Sequence, residues 1–361
     1  MRQRQRGFID HTLNWAGMLG RGAAPASSPR PLHMQLALQG GGAHGAFTWG
    51  VLDRLLEERW LSFDGISGSS AGAMNAVAMA AGWLNGGRDG AREALDRFWG
   101  EIGEQMPRLM TQVSGMELGG AAALMGWLKQ WTSQMTPSQL NPMGIDPLRE
   151  IVSKQIDFER LREASPFQLH IAATHVRSGR LHLFRERELT AEHVLASACL
   201  PTLHHTVMID GEAYWDGGFS ANPALFPLIK GSAPRDLLMV LLTPPTPELC
   251  LDTRQDIDQH IAGLAFSTHL LRELEMIRML RRRAKAALWP TRQERMLREL
   301  RLHWIDISSV DLLRNQETKL WACTPFLEEL KEQGRAHAEF WLMQHRDDLG
   351  QRPTFDLDIY H

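Results

Sequence analysis

The stretch that decides the fold is residues 34–72, MQLALQGGGAHGAFTWGVLDRLLEERWLSFDGISGSSAG. It begins with a short apolar run, passes through a glycine-rich loop and continues with apolar residues at helical spacing. The same order repeats with the short apolar run at residues 63–68 and a small-residue segment from Ser70 onward. Two strand–loop–helix units in fewer than 60 residues predict a parallel sheet covered by helices.

Further strand patterns occur at residues 167–174, 180–184 and 236–242, and after Pro247 the chain becomes largely helical and basic. The predicted fold class is therefore α/β, with a mainly parallel sheet and a helical C-terminal extension.

Three segments are predicted along the chain. Residues 1–33 carry five arginines against one acid and end in a loop-like stretch, which indicates a basic leader followed by a linker. Residues 34–248 contain the strand patterns and form the predicted catalytic domain. Residues 249–361 form a mostly helical C-terminal region, which we expect to pack on that domain.

Composition limits the function. The chain has 361 residues, 43% hydrophobic and 22% charged, with a formal net charge of −3, as in a globular protein without an overall basic field, so no nucleic-acid partner is expected. Its longest mostly apolar run, Ala71 to Leu84, is about 14 residues, shorter than a membrane span. Three scattered cysteines and the lack of a secretory signal predict a cytoplasmic location, peripheral at most to the inner membrane face.

Residues 103–145 are rich in methionine and tryptophan and contain few charges. They fit either ordinary helical core or a pliable lid over an apolar site.

Residues 272–301 carry eight basic side chains between Arg278 and Arg298, interleaved with apolar ones such as Leu274, Ile277 and Trp289. They fit either a solvated helix face or a helix lying on an anionic membrane surface. Nucleic acid is a weaker third option, because no binding motif accompanies the charge.

Residues 68–72, GSSAG, match the pattern G-x-S-x-G between a predicted strand and a predicted helix. Such a turn raises the middle serine above the sheet edge, and Gly68 and Gly72 let the two backbones approach closely. Ser70 is therefore a candidate nucleophile. The alternative is a turn whose serine only caps the helix.

Residues 40–45, GGGAHG, occupy the other strand-to-helix connection. Consecutive glycines leave backbone N–H groups open to a phosphate or to the oxyanion of acyl transfer. The loop also fits the dinucleotide pattern G-x-G-x-x-G, which needs an acidic residue at the end of the second strand. Asp64 begins that strand instead, so the oxyanion interpretation is favoured.

Residues 215–223, WDGGFSANP, offer a carboxylate that could accept the proton of a serine. Asp216, followed by Gly217 and Gly218, is the candidate base, and the alternative is a plain Asp-Gly turn.

A Ser-Asp-His triad of the α/β-hydrolase order is not favoured, because the histidines after Asp216 lie in charged helical or terminal segments. His204 and His205 precede Asp216 and are expected to be structural or to line the substrate site.

Together, GGGAHG at 40–45, GSSAG at 68–72 and DGG at 216–218 resemble the three signatures of the patatin-like phospholipase family, a likeness that covers about residues 34–230. The resemblance implies a three-layer α/β/α fold and a Ser-Asp dyad without histidine. That family's glycine loop commonly carries Arg or Lys where this chain has His44. Its bacterial members have varied C-terminal extensions, so the region beyond residue 245 inherits no role.

The resemblance implies that Ser70 is the nucleophile and Asp216 its general base. The implied oxyanion hole consists of the backbone N–H groups of Gly40, Gly41, Gly42 and Ala43.

The predicted reaction is hydrolysis of carboxylic esters of phospholipids or lysophospholipids through an acyl-enzyme. Neither a cofactor nor a metal is expected. Acyl transfer, thioester or polyester hydrolysis would use the same site, and a non-catalytic membrane-associated scaffold is the alternative from another class.

Overall fold

The computed structural model describes residues 31–114, 139, 145–230, 235–244, 251–310, 313 and 316–357. Of the predicted leader and linker, only residues 31–33 are described. The predicted lid lies outside the described residues between 115 and 144, apart from residue 139, so its two interpretations both stay predictions.

Within these residues, eight strands form one sheet. The strands are β1 (Leu32–Leu38), β2 (Leu61–Ser69), β3 (Gln168–His175), β4 (Arg180–Arg185), β5 (Val207–Ile209), β6 (Glu212–Asp216), β7 (Asp236–Leu241) and β8 (Arg301–Asp306). Their order is β5-β6-β3-β2-β1-β7-β8, and β4 pairs with β3.

The long stretch of the sheet from β3 to β8 is parallel, and β4, β5 and β6 pair antiparallel at one end. The central strands are buried on both faces, as their near-continuous apolar sequences require of a parallel sheet. The predicted mainly parallel α/β sheet is confirmed.

The helices are α1 (Gly45–Leu56), α2 (Ala71–Ser114), α3 (Pro147–Gln155), α4 (Phe158–Ala164), α5 (Ala191–Ser197), α6 (Phe226–Ile229), α7 (Arg254–Ala286), α8 (Arg292–Glu299) and α9 (Thr324–His345). Three short 3₁₀ turns, Gly42–His44, Gly217–Phe219 and Gln316–Leu320, also matter for the site. Helix α2 is interrupted at Gly86 and Gly87, whose backbone angles are not helical.

Helices cover both faces of the sheet. Alternate residues of β7 point to opposite sides, because side chains alternate along a strand. Leu238 and Val240 belong to a core that includes residues of α1, α2 and α9, whereas Leu237 and Met239 belong to a second core with α7. The three-layer α/β/α arrangement is thereby confirmed.

The C-terminal region contains long helices, as expected, but it also supplies a strand that the sequence patterns did not reveal. Strand β8 pairs in parallel with β7 from Asp236↔Arg301 to Leu241↔Asp306. Strands β5 and β6 were not predicted either. The division between domains at residue 248 stays a prediction. Among the described helices, none is both long and apolar enough to cross a membrane.

Candidate active site

Ser70 lies in the one-residue connection between β2 and α2, as the G-x-S-x-G pattern predicts. Its backbone φ of 53° is in the left-handed region, which is strained for a residue with a side chain. The Ser70 N–H donates to the backbone oxygen of Ser197 at 3.1 Å and lies 3.0 Å from its hydroxyl. A methyl group at Gly72 would overlap the carbonyl of Leu38, so this turn needs glycine there. The turn holds Ser70 at the edge of the sheet, only partly buried.

Asp216 is the last residue of β6, and the register of the sheet explains why it meets Ser70. Strand β4 runs along one edge of β3, so β2 and β6 share the other edge. Ser69 pairs with Ala172 and Asp216 with the next residue, Ala173. The ends of β2 and β6 therefore abut, which brings together two residues far apart in the sequence.

The carboxylate of Asp216 is buried and held by specific donors. The N–H of Gly218 donates to Asp216 Oδ1 at 2.7 Å, and the Ser70 side chain lies close enough to lower the pKa of the carboxylate. The Asp216 backbone is fixed by its own N–H, which donates to the carbonyl of Cys199 at 2.8 Å, and by Thr174 Oγ1, which donates to the Asp216 carbonyl at 2.8 Å. The serine and aspartate that the motifs singled out are thus brought together.

Burial raises the pKa of Asp216 from its usual value to about 6, because a buried carboxylate loses its hydration. The Gly218 N–H, the Ser70 hydroxyl and the positive charge of Lys319 oppose that rise. No described histidine is among the groups that shift this pKa. The carboxylate is ionised above about pH 6 and can then accept a proton from Ser70.

The glycine loop lies directly beside the serine. The Gly40 N–H donates to Asn222 Oδ1 at 2.7 Å, so this donor is engaged within the protein. In the hydrogen-bond network of the described residues, the N–H groups of Gly41 and Gly42 have no acceptor. The structure therefore leaves the predicted oxyanion donors Gly41 and Gly42 open and occupies Gly40.

His44 stands in the glycine loop and is fully buried. Its Nε2 lies 2.7 Å from Thr318 Oγ1, within hydrogen-bond distance. Burial, with a smaller effect of the Lys319 charge, lowers the pKa of His44 to about 3. The imidazole is consequently neutral at physiological pH and brings no positive charge to the loop.

The C-terminal region contributes side chains that no motif had indicated. Phe266 of α7 packs against Phe219, with ring centroids 4.9 Å apart, and a methyl group at Gly218 would overlap the Phe266 ring. Thr318 and Lys319 come from the turn Gln316–Leu320, which lies against the Gly42–His44 turn. These residues lie in stretches without recognisable spacing, so only the tertiary structure reveals them.

The sequence patterns also singled out His204 and Gly217. Burial lowers the pKa of His204, with the Asp146 charge as the first opposing influence. Gly217 follows Asp216 directly, and a methyl group there would overlap the carbonyl of Ala172 in β3. The double glycine thus allows the turn after Asp216 to lie on β3 and beneath α7.

The fold and the site define a class: an α/β protein that presents a strained serine turn, a buried aspartate and an open glycine loop at one edge of its sheet. Comparison with known proteins agrees with it. The family model described as patatin-like phospholipase matches residues 36–229, more than half of the chain. The chain belongs to the patatin-like phospholipase family, and at that level it is a lipid hydrolase.

Two solved structures are similar to the chain at low identity. VipD from Legionella pneumophila is 15% identical, with 88% of this chain and 68% of that chain covered and a TM-score of 0.37. ExoU, in its complex with SpcU from Pseudomonas aeruginosa, is 16% identical, with 87% and 52% covered and a TM-score of 0.34, so this chain spans about half the length of the ExoU chain. A search of the curated proteins finds no match.

Proposed function

We propose that the protein hydrolyses carboxylic esters of phospholipids or lysophospholipids through Ser70 and Asp216. The observation that carries this proposal is the sheet register that brings the Ser70 turn next to the buried Asp216 carboxylate, beside a glycine loop with open N–H groups. A serine hydroxyl is a weak nucleophile until a neighbouring base takes its proton, and in this proposal Asp216 is that base.

In the proposed reaction, Ser70 Oγ attacks the acyl carbonyl carbon while its proton passes to Asp216. The carbonyl oxygen becomes an oxyanion, which the N–H groups of Gly41 and Gly42, with Ala43, would stabilise. The ester C–O bond then breaks, and the leaving alcohol takes the proton from Asp216. Water attacks the acyl-enzyme, gives a proton to Asp216 and releases the fatty acid, and Asp216 returns the proton to Ser70.

The test is Ser70→Ala, with Ser69→Ala as its matched control. The Ser69 hydroxyl donates to the Ala221 carbonyl at 2.6 Å and so has a partner within the fold. We expect Ser70→Ala to lower kcat/KM for p-nitrophenyl butyrate, and fatty-acid release from lysophosphatidylcholine, by at least about 10³-fold. Ser69→Ala should lower the melting temperature but retain activity within about tenfold, since it removes only a structural hydrogen bond.

Hydrolysis by Ser70→Ala within tenfold of the wild type would contradict the proposal. Hydrolysis of the p-nitrophenyl ester without fatty-acid release from the lipid would instead indicate a thioesterase or polyester hydrolase. A wild-type protein that is folded but inactive on all of these substrates would support the scaffold.

The proposal includes contact with an anionic membrane surface, which helix α7 supports because it has two apolar faces. One face is buried in the core and includes Leu274 and Ile277, which the sequence had grouped with the basic segment. The opposite face carries exposed apolar side chains, from 39% exposed at Leu271 to 62% at Met279. Its members are spaced by three, four, seven and eight residues, which returns them to one side of a helix: Ile257, Ile261, Leu264, Leu271 and Met279.

Exposed apolar and basic residues also occur near the end of the helix. Leu288 and Trp289 are 90% and 91% exposed. Exposed basic side chains occur in the same part of the chain: Arg272, Arg283, Lys285, Arg292 and Arg295. Exposed apolar side chains together with positive charge suit the interface of an anionic bilayer better than water. Because Phe266 of the same helix packs on the turn after Asp216, membrane contact through α7 would act next to the site.

Vesicle sedimentation tests this contact. The variant Leu288→Ser with Trp289→Ser should bind vesicles containing phosphatidylglycerol at least about fivefold more weakly, because two large apolar side chains no longer enter the interface. The control is Phe340→Ser with Met343→Ser, which removes exposed apolar residues of α9 and should leave binding unchanged. Equal binding of both variants, or equal wild-type binding to pure phosphatidylcholine, would contradict an anionic membrane as the partner. Hydrolysis of p-nitrophenyl butyrate should be the same in both.

A further inference from the structure

Lys319 belongs to the turn Gln316–Leu320, which is seated on the glycine loop. A methyl group at Gly42 would overlap the Lys319 carbonyl oxygen, so the two backbones are in direct contact there. The neighbouring Thr318 lies within hydrogen-bond distance of His44. Two contacts, one to each end of the Gly42–His44 turn, therefore fix the position of Lys319. Its sequence position is 90 residues beyond the end of the family match at residue 229.

The charge of Lys319 acts on two groups of the site, Asp216 at the end of β6 and His44 in the glycine loop. His44 is neutral, which leaves Asp216 as its charged neighbour. In the described part of the chain, Lys319 is the one cation whose charge shifts the pKa of Asp216. Burial lowers the pKa of Lys319 to about 8, and the charge of Asp216 opposes that change.

We propose that Lys319, whose backbone contacts Gly42 of the glycine loop, is a positioning residue of the active site: its positive charge favours ionised Asp216 before Ser70 attacks and then offsets the charge of the oxyanion beside Gly42. This inference rests on the proposed function. The site starts with one negative charge, on Asp216, and the attack of Ser70 moves that charge to the carbonyl oxygen. A cation whose residue contacts the glycine loop and whose charge acts on Asp216 balances the charge before and after the transfer. Such balance is needed because an unpaired charge in a buried site is strongly disfavoured.

The proposal predicts how the rate depends on pH. Activity should rise with pH as Asp216 ionises, with a midpoint near its pKa of about 6. It should fall again as Lys319 loses its proton, with a midpoint near its pKa of about 8. A bell-shaped profile of kcat/KM therefore has one limb for each residue. His44 adds no limb in this range, since its pKa is about 3.

The experiment measures kcat/KM for soluble p-nitrophenyl butyrate between pH 5 and about pH 10 in the full chain and in two variants. Lys319→Met should move the acid limb upward by roughly one pH unit and remove the alkaline limb, because an opposite charge has been lost from beside Asp216. At pH 6 this corresponds to a loss of about fivefold in rate, because the ionised fraction of Asp216 falls from about one half to about one eleventh. Lys319→Arg should keep the acid limb and lose the alkaline limb, since a guanidinium stays charged.

The matched control is Lys331→Met, which removes a lysine of α9 that pairs with Asp96 at 2.7 Å. Both limbs should stay in place. An alkaline limb that persists in Lys319→Arg, or limbs that do not move in Lys319→Met, would overturn the proposal, as would a uniform loss of rate at every pH, which indicates a structural role. If Lys319→Met does not fold, Lys319→Arg still decides the question. Full activity of Ser70→Ala would contradict the proposed function itself, independently of the results for the Lys319 variants.

Discussion

Two regions of the molecule meet at the site and contribute different things. The glycine-rich edge of the sheet, formed by residues 40–45, 68–72 and 216–218, provides the serine, the aspartate and the open N–H groups. The C-terminal region, residues 251–357, provides the ring that packs on the turn after Asp216 and the cation that acts on it. Reactive groups come from one region, and their cover and electrostatic surroundings come from the other.

This difference follows from how each region is built. At the edge of the sheet, strands turn sharply into helices. Steric limits restrict several adjacent residues there, and the result is a recognisable sequence motif. In the C-terminal region, single side chains reach the site from elements that are held by their own packing. Such contacts need no local pattern, and a lysine in a polar stretch looks like any other. Substitutions in the two regions should therefore differ in how they affect activity and stability, and by how much.

The largest effect is expected from Asp216→Asn. Asparagine keeps an oxygen that can accept the Gly218 N–H bond, which is 2.7 Å long in the wild type, but it cannot take the Ser70 proton. We expect kcat/KM for p-nitrophenyl butyrate to fall at least about 10³-fold at every pH, with the fold intact by circular dichroism. A variant that retained a tenth of the activity would show that another base serves Ser70.

The same variant should gain stability at alkaline pH. The pKa of Asp216 is raised in the fold from 3.8 to about 6, so its ionised form costs free energy that is fully present above about pH 6 and fades below the unfolded value. The shift corresponds to about 3 kcal/mol. Urea unfolding should therefore show Asp216→Asn to be more stable than the wild type at pH 8 and nearly equal at pH 4. A wild type that is the more stable protein at pH 8 would contradict the raised pKa.

The contact between the two regions is tested by Gly42→Ala, with Gly179→Ala as control. Both glycines have positive φ, 58° and 65°, so both variants carry the same backbone strain of about 1 kcal/mol. Only at Gly42 would the methyl group also strike the Lys319 carbonyl, whereas nothing lies within 4 Å at Gly179. Gly42→Ala should displace the Gln316–Leu320 turn and lower kcat/KM about 10²-fold. Gly179→Ala should keep full activity with a slightly lower melting temperature. Equal activities would mean that the turn does not support the site.

The same division explains how far the sequence could predict this molecule. Short sequence motifs, in which neighbouring residues restrict one another, were enough to predict the parallel sheet, the strand-to-helix turn at Ser70 and the family. The sequence could not show that Asn222 occupies the N–H of Gly40, because that bond depends on how two distant loops fold together. Strand β8 was not predicted, because the apolar run between its charged ends, Arg301 and Asp306, is too short to indicate a strand. On α7, the exposed and buried apolar faces can be told apart only once the helix is packed.

The smallest effect is expected from Thr318→Val, which removes the hydroxyl that bonds His44 but keeps the shape of the side chain. The Nδ1 of His44 is already buried without a partner in the described structure, so Nε2 would then be unpaired as well. An unpaired buried polar group costs about 1–3 kcal/mol, and unfolding in urea should show a loss of that size. Because Lys319 stays anchored at Gly42, kcat/KM should fall less than about fivefold. The control is Thr268→Val, which removes an exposed hydroxyl that donates to the carbonyl of Leu264 within α7. It should change the free energy of unfolding by less than about 0.5 kcal/mol and leave kcat/KM unchanged. Unchanged stability in Thr318→Val would mean that the C-terminal region does not hold the glycine loop through His44, and the contact at Gly42 would then be the one that seats the Gln316–Leu320 turn on that loop.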